Sequence, residues 1–134
     1  MAAVVVVDSS VILGLLDPDD AHHDVATATL TKYTEDGIPF GLPASVLSEV
    51  LVGDARQGNT AVERRREQLV GLFGPVRHID EEVAIRAAEL RARHRALRLP
   101  DALVIAVGLV DDAAAIVTAD KRWATVDSRV QVLA

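Results

Sequence analysis

The chain contains no cysteine, which rules out a disulfide framework, a thiolate metal site and a cysteine nucleophile. A reducing compartment fits that absence. It also lacks any stretch approaching the roughly 18 consecutive apolar residues of a membrane span. Its N-terminal apolar run is short and has no basic region before it, so the expectation is a soluble, unsecreted, cytoplasmic protein without a membrane partner. Internal repeats, linkers and low-complexity segments are absent too, and 134 residues suit a single domain over 1–134 that buries its own core. Positive charge is scarce where the chain begins: the first 55 residues hold one Lys and no Arg, whereas ten of the twelve arginines lie between Arg56 and Arg98. The formal net charge of −6 weighs against a nucleic-acid binder. Carboxylates that bind a cation, however, enter that sum without repelling phosphate once the ion is bound.

What is present starts with Val4-Val5-Val6-Val7, a β-branched run that stops at Asp8. Four valines in a row do not alternate with polar residues, so they read as a central parallel strand covered on both faces. Asp8 then stands at the strand's carboxyl end, the edge of an open α/β sheet where ligands bind.

A short helix over 10–16 follows, stopped by Asp17-Pro18 because the residue before proline disfavours the α region. Asp19 or Asp20 can cap a second helix running to about residue 36, with Gly37 as its stop. Residues 38–42 read as a strand that Pro39 places at or near an edge. Pro43 opens a helix over 44 to about 57, with Val46, Leu47, Val50 and Leu51 on one face and Glu49 at the margin. Thr60, with Glu63 three residues on, has the spacing of a capping box. Gly74-Pro75 ends that helix, 76–79 form a short strand, and Asp80 caps a helix with Val83, Ala87 and Leu90 inward and Arg86, Arg91, Arg93 and Arg95 outward. The helix opened by Leu99-Pro100-Asp101 has no polar side chain from Ala102 to Val110 and must be enclosed. A strand over 114–117, Thr118-Ala119-Asp120, a brief turn at Arg122-Trp123 and a last strand over 130–133 complete the chain. Helices alternating with strands imply a three-layer α/β/α domain with a mostly parallel central sheet of about five strands.

Four acids occupy comparable places: Asp8 and Asp120 at strand ends, Asp101 at a helix start and Glu49 beside an apolar helix face. Hard divalent cations take oxygen ligands and keep several waters, so converging carboxylates with hydroxyls nearby suit Mg²⁺ and phosphoryl-transfer chemistry. Each acid also has a plain structural reading. Asp8 can cap the next helix, Asp101 can complement a helix dipole, Glu49 can be a surface helix residue with a buried stem, and Asp120 can open a turn.

The pieces Val-Val-Asp8-Ser9-Ser10, Ser48-Glu49-Val50 after Leu42-Pro43, Pro100-Asp101-Ala102-Leu103-Val104-Ile105-Ala106 and Val117-Thr118-Ala119-Asp120-Lys121-Arg122-Trp123 are each weak alone. In this order, over essentially the whole chain, they resemble the PIN-domain nucleases, in particular the short VapC-type toxins of toxin–antitoxin systems. The resemblance implies a PIN-like fold and hydrolysis of RNA, often structured RNA such as tRNA or rRNA. It implies Mg²⁺ or Mn²⁺ held by Asp8, Glu49, Asp101 and Asp120, with Ser10 and Thr118 as supporting hydroxyls. Asp8 and Asp101 would make the principal contacts, while Glu49 and Asp120 would orient water or hold a second ion. It further implies a homodimer held inactive by a VapB-type antitoxin. Trp123 stands where similar chains often have Phe.

Around this site, Lys121 and Arg122 are placed to touch RNA phosphates, and Trp123 either stacks a base or packs. Arg64-Arg65-Arg66 spans most of a helical turn and reads as a solvated face. His22 and His23 have no partner histidine and read as solvent-facing. Two competing functions are a phosphotransfer domain based on Asp, such as a receiver or a dehalogenase-like phosphatase, and a non-catalytic PIN-like module binding RNA or protein. The phosphatase pattern needs an Asp where Ser10 stands, and a receiver needs its acceptor on a middle strand, where none is found.

Overall fold

Val5, Val6 and Val7 form strand β1 (Val5–Val7), and all three are fully buried. Successive side chains of a strand point to opposite faces, so this run requires cover on both sides. β1 is the middle of a five-stranded sheet of order β3-β2-β1-β4-β5, in which β2 is Phe40–Pro43, β3 Val76–Arg77, β4 Ala115–Thr118 and β5 Val130–Val132. Every strand pairing is parallel. The structure is a computed structural model that describes residues 3–134. The reading that no basic leader precedes the valines falls partly on Met1 and Ala2, outside the described residues.

Seven α-helices connect the strands among the described residues: α1 (Ser9–Leu16), α2 (His23–Glu35), α3 (Ala44–Val50), α4 (Val52–Gln57), α5 (Asn59–Phe73), α6 (Glu81–Arg93) and α7 (Leu99–Val110). A 3₁₀ turn, Lys121–Thr125, joins β4 to β5. The result is the three-layer α/β/α arrangement expected from the alternation of elements. α7 is enclosed as its composition requires: Ala102 and every residue from Val104 to Gly108 are buried. Gly108 is where α7 comes closest to the sheet, since a Cβ there would lie 2.4 Å from Cγ1 and Cδ1 of Ile116 on β4.

Several boundaries differ from the sequence reading. α2 begins at His23 without a side-chain cap, because Asp20 Oδ1 accepts the His22 N–H at 2.8 Å and so builds the preceding turn. β2 lies between β1 and β3, second from the edge, in keeping with a place at or near an edge. Pro39 sits just before it and contributes only its carbonyl, which accepts the Val5 N–H at 2.9 Å, so its missing donor falls outside the strand. The helix expected over 44–57 is two helices meeting at Leu51. Val46 and Val50 pin α3 to the core, whereas α4 has no buried residue, so nothing holds the second half to the first half's axis. The capping box at Thr60 does not form: Gly58, at φ +116°, turns the chain, helix α5 starts at Asn59, and Glu63 pairs with Arg66 at 3.0 Å. β3 covers two of the four residues expected.

Asp80 caps α6 as expected, its Oδ1 accepting from Val83 N–H at 2.9 Å. Arg77, at the end of β3, reaches both neighbours of that cap. Its Nε and Nη2 donate to the two oxygens of Asp111 at the end of α7, each at 2.9 Å, and its Nη1 donates to Asp80 at 3.1 Å. One guanidinium thus ties a short edge strand to the α6–α7 pair.

Candidate active site

The strand order reverses between β1 and β4, because the chain moves from β1 outward through β2 to β3 and then returns to β4 on β1's other side. Crevices beyond the carboxyl ends of strands at such a reversal are where open α/β sheets bind ligands. The pairing of Val7 with Val117 brings the next residues, Asp8 and Thr118, together at that point.

Asp8 is a buried hub, 6% exposed. Its Oδ1 accepts the Ser9 N–H at 2.8 Å, and its Oδ2 accepts both the Ser10 hydroxyl and the Thr118 hydroxyl at 2.8 Å. Those hydroxyls also accept: Ser10 Oγ from the Ala119 N–H and Thr118 Oγ1 from the Asp120 N–H, each at 3.0 Å. Three donors fix the carboxylate in place, and the same bonds lock the start of α1 to the end of β4. Asp8 therefore caps α1, as its plain structural reading allows, while being fixed more firmly than a cap needs.

The other acids come from three further elements. Glu49, on the exposed side of α3, is held by Ser9, whose hydroxyl donates to Oε2 at 3.2 Å. Asp101 is in the first turn of α7, with Arg98 Nε 3.7 Å from its Oδ2. Asp120 caps the 3₁₀ turn, accepting from Arg122 N–H at 2.9 Å, and is gripped by the Arg122 guanidinium at distances from 2.6 to 3.2 Å.

Charge links the acids in pairs. Burial pushes the Glu49 carboxyl above its ordinary pKa; the Ser9 bond opposes this, and the charges of Asp8 and Asp101 add to it. Asp101 is raised by burial first, with Arg98 opposing and Asp8 and Asp120 contributing in the same upward sense. Asp120 goes the other way, lowered chiefly by its bonds to Arg122. Glu49 and Asp101 feel their acidic neighbours, and Arg98 and Arg122 supply the countercharge.

Among the described residues no three acidic or imidazole groups close into a ready-made ligand shell. The donor set nevertheless fits Mg²⁺ or Mn²⁺. It is all oxygen, and Mg²⁺ is typically held by one or two carboxylates while keeping several waters rather than being caged by protein.

All four acids, Ser10 and Thr118 thus meet at one crevice, and Lys121 and Arg122 are exposed at its rim. Two site residues escaped the sequence reading. Ser9 links Asp8 to Glu49, and its only signal was adjacency to Asp8; Arg98 was marked by its spacing of three from Asp101 on the entry to α7. The stacking role for Trp123 does not hold, because the indole is 1% exposed and its ring is packed in the core. His22 keeps 40% of its side chain exposed, whereas His23 is half-buried rather than solvent-facing; its Nδ1 lies 2.9 Å from the Gly14 carbonyl and closes the α1–α2 turn.

Fold and site together define a doubly wound α/β domain with an acidic crevice at its switch point. The PIN domain model matches residues 5–128, and the chain belongs to the PIN domain family. None of the curated proteins matches it in sequence. Among solved structures, it is similar to a toxin–antitoxin complex from Klebsiella pneumoniae at 21% identity and TM-score 0.76, covering 97% of this chain and 98% of that one. VapBC2 from Rickettsia felis, bound to a promoter DNA fragment, aligns at 11% identity and TM-score 0.77 over 98% of this chain and 99% of that one. Mycobacterium tuberculosis VapC20, a Sarcin-Ricin loop cleaving toxin, aligns at 23% identity and TM-score 0.63 over 84% and 86%. At these identities the likeness is one of fold.

Proposed function

We propose that this chain is the toxin of a type II toxin–antitoxin pair, a VapC-type endoribonuclease dependent on Mg²⁺ or Mn²⁺. The observation that carries the reading is the immobilised Asp8 with three more carboxylates around it. Like charges raise one another's energy, and a fold has no reason to gather them without a cation to share. Asp8 and Asp101 would be the principal ligands, with Glu49 and Asp120 beside them. When bound, the ion supplies activation of a water and neutralisation of the charge that develops on the phosphodiester.

The chain's own residues do the rest. Ser10 and Thr118 hold Asp8 at a fixed angle, so no reorganisation is needed when substrate arrives. Glu49 uses Oε2 for Ser9, which leaves Oε1 to orient the attacking water or take its proton. Lys121 and Arg122 meet the phosphates flanking the scissile bond. Structured RNA such as tRNA or rRNA is the substrate class. A VapB-type antitoxin is the partner, supported by the toxin–antitoxin complexes among the structural neighbours. We assign the protein to the cytoplasm; no helix among the described residues is long and apolar enough to cross a membrane. A homodimer would cover some of the exposed Leu13, Val52, Leu72, Ile85 and Leu99.

The test is incubation of antitoxin-free protein with total cellular RNA in Mg²⁺ or Mn²⁺, in EDTA, and in parallel with Asp8→Asn. Discrete fragments that need both metal and Asp8 are expected. Cleavage that persists in EDTA or in the variant would refute this assignment of the site.

A further inference from the structure

Next to the carboxylates, the loop joining α6 to α7 and the 3₁₀ turn enclose a cavity of about 230 Å³. It shares Asp101 and Arg122 with the acidic crevice, so whatever fills it lies beside the reacting phosphate. Leu97, Trp123 and Val126 give it an apolar wall, while Ala96 and Thr125 line it from exposed positions. Its volume is below the roughly 300–1,000 Å³ of pockets for drug-sized ligands and suits one flat ring system. At His94 and Val126 it adjoins a second, polar depression of about 390 Å³ lined by Arg86, Arg93 and Arg129 together with Glu89 and Asp127. Arg86 pairs with Glu89, and Arg129 with Asp112 and Asp127, which leaves Arg93 as the arginine of this depression without an ion pair among the described residues.

Resting on the nuclease reading above, we propose that the cavity receives one unstacked nucleobase of the RNA next to the scissile phosphate, and that the arginine-lined depression carries the adjoining backbone. Sequence-specific recognition of RNA acts on bases splayed out of the stack and read on their edges. Here Leu97 and Val126 take the base's face, and Arg95 and His94 offer donors to its edge. A neutral base enters a cavity walled by both Asp101 and the Arg95 and Arg122 guanidiniums without a charge penalty. Arg93 and Arg95 form no ion pair among the described residues and so are available to phosphates. The cavity is thus a specificity subsite, one nucleotide from the cut.

The experiment fills the cavity from its exposed side. Ala96→Trp, and Thr125→Trp from the other wall in case the first fails to fold, should keep the Mn²⁺-induced rise in melting temperature, because neither touches a carboxylate. Both should slow cleavage at the site mapped for the wild type by about ten-fold or more and relax the base preference there. In the cleavage-deficient Asp8→Asn background, an oligonucleotide spanning that site is scanned with single abasic positions. One position should weaken binding, and adding Ala96→Trp should abolish that position's effect. Unchanged rate, preference and abasic profile in the filled variants would overturn the subsite while leaving the nuclease standing. Filled variants that cleave normally but no longer bind the antitoxin would overturn it in favour of a peptide site. If the wild type cleaves no RNA with either metal, the nuclease reading fails and the subsite with it.

Discussion

At the scale of single residues, Asp8 bears on both stability and chemistry, and the two can be separated. Asn is as good an N-cap as Asp, so Asp8→Asn keeps the bond from Ser9 N–H. At Oδ2 the amide cannot accept from Ser10 and Thr118, and at least one hydroxyl must turn round. That loss is about 1 kcal/mol per hydrogen bond, and it is offset by removal of a charge that raises Glu49 and Asp101. Asp8→Asn should therefore melt within a few degrees of the wild type in EDTA, lose its Mn²⁺-induced stabilisation and lose RNA cleavage. Asp8→Ala, which removes the cap and leaves two buried hydroxyls without their acceptor, should be destabilised by about 2–4 kcal/mol. Melting curves with and without Mn²⁺ check both, and equal stability of the two variants would remove the capping role. Asp8 was legible in the sequence because an apolar strand stops at it. Ser9 was not: two adjacent serines on a helix point about 100° apart, and nothing local says that Ser9 turns to Glu49 and Ser10 to Asp8.

Elements were legible where one period ran long enough to be pinned on one side and lost where the pinning ended. α6 and α7 match their patterns because Val83, Ala87 and Leu90 face an enclosed partner helix. α3 and α4 parted at Leu51 because the buried stripe stopped there. Gly108 is the closest seam between elements, and Gly108→Ala should cost about 1–3 kcal/mol, the usual range for overpacking, since the added methyl would meet Ile116 at 2.4 Å. Ile116→Ala creates a cavity and destabilises alone, yet the double variant should be more stable than the sum of the two losses. Additivity in urea melts would show that the seam relaxes freely. Arg77 makes a second seam. Arg77→Lys keeps the charge but not the fork that spans both oxygens of Asp111, so it should recover little of what Arg77→Ala loses, about 1–3 kcal/mol for charge-assisted bonds. Full rescue by Lys would reduce the clasp to simple charge attraction.

For the whole molecule, alternation of strands and helices implied a parallel sheet but could not order its strands. Pro39 pointed to a place at or near an edge, and β2 is second from one, but only the observed order puts the reversal between β1 and β4, where Asp8 and Thr118 come together. That convergence gives the fold a pH dependence with two opposing parts. Glu49 and Asp101 have pKa values raised in the folded state, so the native protein binds those protons more tightly than the unfolded chain does. Their ionisation disfavours the fold, and stability rises as pH falls from neutral through their folded values. Asp120 has a lowered value, held down by its bonds to Arg122; its stabilisation is present above the ordinary carboxylate range near 4 and is lost as pH falls through the folded value below it. In EDTA, then, the contribution of the acid cluster should peak in mildly acidic solution and collapse below about pH 4. The quantity to measure is the difference between wild type and Glu49→Gln. The variant should be the more stable near pH 7, with the gap closing as pH falls and Glu49 takes up its proton. Saturating Mn²⁺ should reverse the order at neutral pH, since a ligand at one hundred times its Kd stabilises the native state by about 2.7 kcal/mol and Glu49→Gln weakens that ligand's site. A gap between the two proteins that ignores both pH and Mn²⁺ would mean that Glu49 stands outside the cluster and that the crevice holds three acids, not four.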